Sequence, residues 1–386
     1  MTVTISPLGV AAAVLAAAGL VLGRVLGWTE VATLGAGLLA VLVVALLMTA
    51  GRARYAVGLD MADRRVRIGE RAVGRVVVRN DGRGRTLPSR LELPVGEKVA
   101  DLAVPTLAGG AVHDDLFAIP TARRGVVVVG PVRSVRGDPL GLVRRTVLWT
   151  DPVEVVVHPR LVSLAGASAG LLRDLEGEAT RDTSDTDLSF HALRDYVPGD
   201  DRRHIHWRSS ARHQTLLVRQ FEDTRRTRTA LALATEPGDY ADDDELELAV
   251  SVVASIGVQT LWDERELTVL AGPGMLHVET PPALLDDCAR IVLATDGTVG
   301  AGVTLLGRRV ALETPHSSVA VLVTGSVPAD ADLRLGARHV PAGTRTVVVR
   351  CVPGRRLEVR TRGLLSVATL GALEDLPRLL RRVVSG

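Results

Sequence analysis

The chain has 386 residues, of which 47% are hydrophobic and 23% charged, so it can bury large cores and is not a disordered chain. The formal net charge is +2, with Lys98 as the only lysine, which excludes a strongly basic nucleic-acid-binding protein on bulk electrostatics. Two cysteines, Cys288 and Cys351, are too few for a disulfide framework or a four-cysteine zinc site, and they fit a reducing compartment.

Two long apolar stretches near the amino terminus predict transmembrane helices. Residues 1–23 contain no charged side chain, and neither do residues 31–50. At 1.5 Å per residue each stretch spans about 30 Å, the thickness of the hydrocarbon core of a bilayer. The alternative, a signal peptide followed by a buried helix, lacks the basic start that a signal peptide needs. We therefore predict helices at about 5–23 and 31–50 within an amino-terminal region 1–54.

The charges that flank these helices predict their orientation. The short break between them carries Arg24 against Glu30, whereas five arginines follow the second stretch between residues 52 and 67. Because an excess of arginine favours the cytoplasmic side, we expect a multi-pass cell-membrane protein whose soluble domains are cytoplasmic.

The region 55–164 is typical of a small β-sandwich. Short runs rich in valine occur at 74–79, 125–130 and 153–157, and turn residues end each run. No long helical periodicity interrupts them, which favours an immunoglobulin-like β-sandwich domain. Residues 165–187 are rich in small and polar side chains and predict a linker.

The stretch from residue 190 to residue 221, called the signature segment below, holds four of the ten aromatic residues and four of the nine histidines. Asp200 or Asp201 with His204 and His206 supplies donors for a metal ion, but their spacing is not distinctive. Alternating arginines and aromatics suggest nucleic-acid binding, yet acidic residues nearly balance the arginines. The interpretation we favour is structural: Arg–Asp pairs and aromatics with satisfied contacts lock a loop against a domain face, combined with docking of a partner. Asp200 is a candidate cap for a short helix that follows.

The carboxy-terminal region predicts alternating strands and helices. The strands are expected at 229–234, 266–271, 319–324 and 346–351, and the helices at 242–261, 282–293 and 370–384, the last kinked or restarted near Pro377. This alternation favours an α/β domain with a doubly wound, mostly parallel sheet.

The signature segment resembles one family in detail. The residues that carry the resemblance are Phe190, Leu193, Arg194, Tyr196, Pro198, Gly199, Asp200, Arg203, Ile205, Trp207, Ser210, Ala211, Arg212, Leu217, Val218 and Arg219. The pattern is similar to that of the domain of unknown function 58 (DUF58) family, and the resemblance extends to the membrane pair, to Arg124-Gly125 and to residues 138–142. It implies that region 188–386 combines the signature with a domain similar to the von Willebrand factor A fold. Members often accompany MoxR-type AAA+ ATPases and transglutaminase-like membrane proteins, so the resemblance also implies an ATPase partner.

Von Willebrand factor A domains often hold a divalent ion with an Asp-x-Ser-x-Ser motif after the first strand. Here Ala234-Thr235-Glu236-Pro237-Gly238 follows that strand, so the first aspartate and both serines are missing. We therefore expect no stable metal there and no cofactor. Nucleophile elbows, phosphate loops and zinc-protease motifs do not occur in the sequence either.

The sequence thus predicts a membrane-anchored, non-enzymatic scaffold or adaptor that works with a MoxR-type AAA+ ATPase in protein or complex assembly. Other membrane proteins are further candidate partners, and nucleic acid is not expected. The residues expected to carry the interaction are Arg194, Tyr196, Asp200, Arg203, Trp207 and Arg219. Two alternatives stay open: a metal-dependent hydrolase that uses Asp200, His204 and His206, and a purely structural membrane module.

Overall fold

A computed structural model of the chain describes residues 2–49, 55–86, 88–165, 189–197, 200–222, 228–294 and 302–384. The chain divides into two compact units, Met1–His158 and Pro159–Gly386. The predicted linker lies outside the described residues from residue 166 onward.

The amino-terminal unit begins with two antiparallel helices, α1 (Pro7–Leu26) and α2 (Thr29–Thr49), called the helical hairpin below. The Ser6 side chain caps α1 by accepting the Gly9 N–H at 3.0 Å, and Gly27 ends it with a φ of +71°. Both helices are long and apolar enough to cross a membrane, as predicted. Arg24, which was assigned to the break, lies in the last turn of α1 instead.

Small residues bring the two helices close together. A Cβ built on Gly35 would lie 2.8 Å from the Leu20 nitrogen and 3.0 Å from the Ala16 oxygen, both on the α1 backbone. A Cβ on Gly23 would lie 2.5 Å from the Ala32 nitrogen. In a bilayer no water is present to drive apolar helices together, so close van der Waals packing must stabilise their association. These glycines allow that packing between α1 and α2.

Eleven strands complete the described part of the amino-terminal unit. They are β1 (Thr2–Ile5), β2 (Tyr55–Met61), β3 (Arg65–Arg67), β4 (Ala72–Asn80), β5 (Ser89–Val95), β6 (Lys98–Val104), β7 (Val112–Ile119), β8 (Gly125–Val129), β9 (Arg133–Gly137), β10 (Val143–Leu148) and β11 (Val153–His158). One sheet has the order β1-β10-β9-β5-β8-β11-β3, with β6 also paired to β5, and the other has the order β2-β4-β7.

The two sheets share one hydrophobic core. Val76 and Val78 of the smaller sheet belong to the same buried cluster as Leu91, Leu93 and Val155 of the larger sheet. Burial alternates strictly along most of β4, as expected when one face of a strand meets a core. The three strands predicted in this region are confirmed as β4, β8 and β11.

Strand β1 was not predicted, because its residues extend the apolar stretch that the sequence assigns to the membrane. It pairs antiparallel with β10, from Thr2 opposite Thr146 to Ile5 opposite Val143. The Ser6 N–H continues this ladder by donating to the Leu142 carbonyl at 3.0 Å. At the same end of the hairpin, where α2 finishes, Arg145 Nη1 donates to the Thr49 carbonyl at 3.2 Å. The sandwich therefore holds both membrane helices at the same end.

The carboxy-terminal unit contains a β-hairpin and an α/β domain. Its strands are β12 (Ser189–Asp195), β13 (Leu217–Glu222), β14 (Arg228–Leu233), β15 (Glu266–Ala271), β16 (Gly274–Met275), β17 (Val319–Thr324), β18 (Arg345–Cys351), β19 (Glu358–Arg362) and β20 (Leu365–Leu370). Its helices are α3 (Trp207–His213), α4 (Asp243–Trp262), α5 (Pro281–Arg290), α6 (Val303–Glu313), α7 (Asp330–His339) and α8 (Leu376–Val384).

Seven strands form one sheet in the order β16-β15-β14-β17-β18-β20-β19. The five inner strands are parallel, as predicted, and only the edge strands β16 and β19 are antiparallel. From β14 the chain moves one way to β15 and then crosses to β17 on the other side. With right-handed crossovers this order places α4 and α6 on opposite faces of the sheet. The reversal between β14 and β17 is the point where ligands bind in open α/β sheets.

Helix α4 is also apolar enough to cross a membrane by length and composition, but most of it is buried in the α/β core. Its apolar character therefore reflects packing on the sheet. Asp242 caps it by accepting the Glu245 N–H at 3.0 Å.

The helix predicted at 370–384 is confirmed from its restart near Pro377 and is wrong before it. Residues 365–370 form the buried strand β20, and α8 starts only at Leu376, with Pro377 in its first turn where proline is tolerated. Helices α6 and α7 were not predicted from the sequence.

Replacing Gly35 by leucine should open the helical hairpin, because the new side chain would meet backbone atoms of α1. We expect Gly35→Leu to destabilise the full chain by about 1–3 kcal/mol, measured as thermal unfolding in detergent. Gly37→Leu is the matched control, since no atom lies within 4 Å of a Cβ there. Equal melting temperatures for the two variants would contradict the packing described for the hairpin.

Candidate functional site

The signature segment forms a β-hairpin with a structured loop. Strands β12 and β13 pair antiparallel, with Arg194 opposite Val218. Between them lie a 3-10 turn, Arg202–His204, and the short helix α3. Tyr196, which is half-buried, continues the pairing by donating its N–H to the Leu216 carbonyl at 2.8 Å.

Arg194 and Asp200 form a two-pronged ion pair across this loop. Arg194 Nη2 and Nη1 donate to Asp200 Oδ1 and Oδ2 at 2.7 and 2.8 Å. The Val197 N–H also donates to Asp200 Oδ2, at 2.9 Å. The Arg194 guanidinium and then the Val197 N–H hold the pKa of the Asp200 carboxyl below its ordinary value. The pair therefore fixes the start of the loop at neutral pH.

The expectation that Asp200 caps a short helix is wrong by one residue. Asp201 is the cap: its Oδ1 accepts the Arg203 N–H at 2.9 Å and begins the 3-10 turn. Asp200 instead accepts hydrogen bonds from the Arg194 guanidinium and the Val197 N–H.

Helix α3 is bonded directly to strand β13. The His206 N–H donates to the Leu217 carbonyl at 2.8 Å, and the Leu217 N–H donates to Ser210 Oγ at 2.9 Å. Ile205 forms a bridge with Val218, and both of these side chains are buried. His206 Nδ1 caps α3 by accepting the Ser209 N–H at 3.2 Å. These contacts define the conformation of the loop without using Trp207.

Trp207 itself is 66% exposed, so the expectation that the aromatics lock the loop through satisfied contacts does not hold for this residue. Val197 and Leu216 in the same loop are exposed as well. The cationic side chains exposed around them are Arg202, Arg203, Arg208 and Arg212. Arg219 lies in β13 opposite Leu193, but its side chain is outside the described part of the chain. The loop therefore presents apolar and cationic groups to its surroundings.

The residues of the hydrolase hypothesis have other local partners. Asp200 binds Arg194, and His206 caps α3 through Nδ1. Within the described ranges, no group of three or more His, Cys, Asp or Glu side chains is placed to hold a metal ion. This geometry gives the metal hypothesis no direct support.

A second polar site lies where β14 and β17 end, at the reversal of the sheet. Asp239, which the sequence analysis did not single out, follows β14 in the 3-10 turn Pro237–Asp239 and is only 8% exposed. Its Oδ2 has no hydrogen-bond partner. Burial, followed by the nearby carboxylates of Glu236 and Asp332, raises the pKa of Asp239 to about 6.

Two further polar groups border Asp239. The Thr324 hydroxyl at the end of β17 is fully buried and also has no partner. Glu245 is satisfied: its Oε2 accepts the N–H groups of Ala241 and Ser326, both at 2.9 Å, and so joins α4 to the loop after β17. Ala234 and Thr235, which take the place of the ion-binding motif, are buried beside this turn.

A histidine–aspartate pair beyond the end of β15 was also missed. His277 Nδ1 lies 2.8 Å from Asp287 Oδ2, and the Asp287 carboxylate raises the pKa of the imidazole. Thr235 and Arg290 line the same open cleft. Asp287 lies in α5 and His277 precedes that helix, so no local sequence pattern predicts this pair.

The two amino-terminal helices, which are long and apolar enough to span a membrane, suggest a membrane protein, and a two-sheet unit and an α/β unit follow them. Residues 192–285 match the family model described as "Protein of unknown function DUF58". The chain therefore contains a DUF58 region, and the resemblance seen in the sequence is confirmed there. Comparison with curated proteins gives no match.

Solved structures resemble parts of the chain only distantly. A CARDB domain from Pyrococcus furiosus is 14% identical with a TM-score of 0.21, over 27% of this chain and 86% of that domain. The alkylpurine DNA glycosylase AlkC from Pseudomonas fluorescens is 14% identical with a TM-score of 0.20, over 36% of this chain and 42% of the glycosylase. A β-glucosidase from Listeria innocua is 12% identical with a TM-score of 0.19, over 28% of this chain and 17% of the glucosidase. Scores this low assign neither a fold nor an activity to the chain.

Asp239→Asn should change how stability depends on pH. An ordinary aspartate titrates near 3.9, so the native chain binds an extra proton between about pH 4 and pH 6. The wild-type protein therefore loses stability as pH rises through this window, by roughly 2–3 kcal/mol at most. The variant lacks this loss, so its melting temperature should exceed that of the wild type at pH 7.5 by more than at pH 4.5.

The control for this measurement is Asp63→Asn, which changes an exposed aspartate. Its melting temperature should follow that of the wild type at every pH. If Asp239→Asn did so too, the buried carboxyl would titrate like an exposed one, and the account of this site would be wrong.

Proposed function

We propose that the protein is a membrane-anchored, non-enzymatic scaffold or adaptor that acts with a MoxR-type AAA+ ATPase in protein or complex assembly. The observation that carries the proposal is the exposure of Trp207 on a loop whose conformation other residues determine. A large aromatic side chain on a structured loop can bury a large apolar area against a partner.

The surroundings of Trp207 support a protein partner. Tryptophan and arginine are the residue types most often found at the energetic centres of protein interfaces. The exposed arginines 202, 203, 208 and 212 outnumber the exposed aspartates 195 and 201 of the same segment, which suits an acidic surface on the partner. Among the predicted interaction residues, Arg194 and Asp200 then shape the loop, while Trp207 and Arg203 contact the partner.

The finer descriptions of the fold belong to the same proposal. The two sheets around one core support an immunoglobulin-like sandwich, and the parallel sheet with helices on both faces supports a von Willebrand factor A-like domain. The arginines that follow α2 support a multi-pass membrane protein with cytoplasmic soluble domains.

Trp207→Ala should abolish capture of the partner without changing stability. The change removes an exposed side chain, and such substitutions alter stability by less than roughly 0.5 kcal/mol. The melting temperature should therefore stay within about 1 °C of the wild-type value. Capture is measured by crosslinking in intact cells, followed by identification of the crosslinked proteins. Trp262→Ala is the matched control, because Trp262 is also exposed, at 62%, but lies at the end of α4.

The outcome distinguishes the alternatives. Loss of an ATPase from the Trp207→Ala sample only is the expected result. An unchanged crosslinking pattern together with a lower melting temperature would favour a purely structural module. A stoichiometric metal in the purified wild-type protein that is lost in His204→Ala would favour the hydrolase.

A further inference from the structure

The turn between β9 and β10, residues 138–142, lies against the side of membrane helix α2. Together they border an apolar groove of about 370 Å³, which is lined by Ala40, Val41, Val44, Ala45, Met48, Asp138, Pro139 and Leu140. Leu142, at the end of the turn, belongs to one buried cluster with Ala16 of α1 and with Leu42 and Ala45 of α2. The turn therefore contacts the helical hairpin well before the end of α2.

The turn contacts α2 too far from the end of the helix for the turn to remain in water. Val41 lies eight residues before Thr49, or roughly 12 Å along the helix axis. Helix α2 has 21 residues and α1 has 20, so each is about as long as the hydrocarbon core is thick. Neither helix can withdraw 12 Å from the bilayer and still span it. If the helices span the bilayer, the turn enters it beside them.

The backbone of the turn suits an apolar environment. Lipid offers no hydrogen bonds, so buried N–H groups need partners within the protein. Asp138 supplies them: its carboxylate accepts the N–H groups of Leu140 at 3.0 Å and Val143 at 2.7 Å, and its carbonyl accepts that of Gly141 at 3.0 Å. Pro139 has no N–H to satisfy.

The side chains of the turn and its neighbours also suit insertion into a bilayer. Leu140 is 61% exposed and continues the exposed apolar surface that Val44 and Met48 form on α2. The Asp138 carboxylate, which accepts the N–H groups of Leu140 and Val143, is the one charged side chain among residues 138–142, and two arginines follow at Arg144 and Arg145. Arg145 reaches the carbonyl of Thr49 at the end of α2, which is where a membrane helix meets the headgroups.

We infer that the β9–β10 turn inserts into the lipid bilayer alongside α2, with the Leu140 side chain in contact with acyl chains. The occupant of the groove is then lipid, because the exposed face of α2 that lines it is continuous with the lipid-facing surface of the hairpin. The sandwich would be seated in the membrane interface by this turn, and not only tethered by the chain.

Fluorescence quenching from within the bilayer tests this inference. The full chain carrying Leu140→Cys is labelled with a nitrobenzoxadiazole fluorophore and reconstituted into vesicles of phosphatidylcholine with a minority of phosphatidylglycerol. Cys288 and Cys351 are buried and leave the label selective. Val44→Cys gives a lipid-facing reference from the same groove, and Val73→Cys gives an exposed reference on the three-stranded sheet.

The label at residue 140 should behave like the label at residue 44. Doxyl groups on the lipid chains should quench both to a similar extent, whereas dissolved iodide should quench only the label at residue 73. Iodide quenching at residue 140 equal to that at residue 73 would place the turn in water and overturn the inference. Protection from both quenchers would also overturn it, because a partner protein or a second copy would then cover the groove.

Discussion

The constraint on which the structure depends is the match between the two amino-terminal helices and the thickness of a bilayer. With 20 and 21 residues, α1 and α2 are about as long as the hydrocarbon core is thick, so neither helix could lose a turn and still cross it. Strand β1 and Arg145 bind the sandwich to one end of this hairpin. The depth of the hairpin therefore fixes the height of the sandwich, and an insertion or deletion in either helix would displace it.

In the loop of the signature segment, between β12 and β13, one set of residues fixes the conformation and another is exposed. Arg194 and Asp200 pair with each other, and the Ser210 hydroxyl bonds the backbone of His206 and Leu217, so these contacts fix the loop from within. The Trp207 side chain takes part in none of these hydrogen bonds and is 66% exposed. A preformed loop loses little conformational entropy on binding, so its exposed groups can contribute their interaction energy to affinity.

The sequence alone predicts the elements whose signal is long or continuous. The membrane helices, β15, β17 and α4 follow from apolar runs whose length or period is decisive. Strand β1 was missed because its residues extend an apolar helix, and α6 and α7 were missed because short amphipathic helices give weak periodicity. The Arg194–Asp200 pair could be anticipated from Arg–Asp proximity along the chain. The buried state of Asp239 and the pairing of His277 with Asp287 depend on tertiary contacts that no local pattern encodes.

Labelling from one side of the membrane tests the central claim most directly. Trp28→Cys places a thiol between the two helices, and Val73→Cys places one on the sandwich; both positions are exposed. A membrane-impermeant maleimide added to intact cells that express the full chain should label residue 28 and leave residue 73 unlabelled until the cells are lysed. Labelling of both positions from outside would show that the helices do not cross the bilayer as a hairpin, and labelling of residue 73 alone would place the folded body outside the cell.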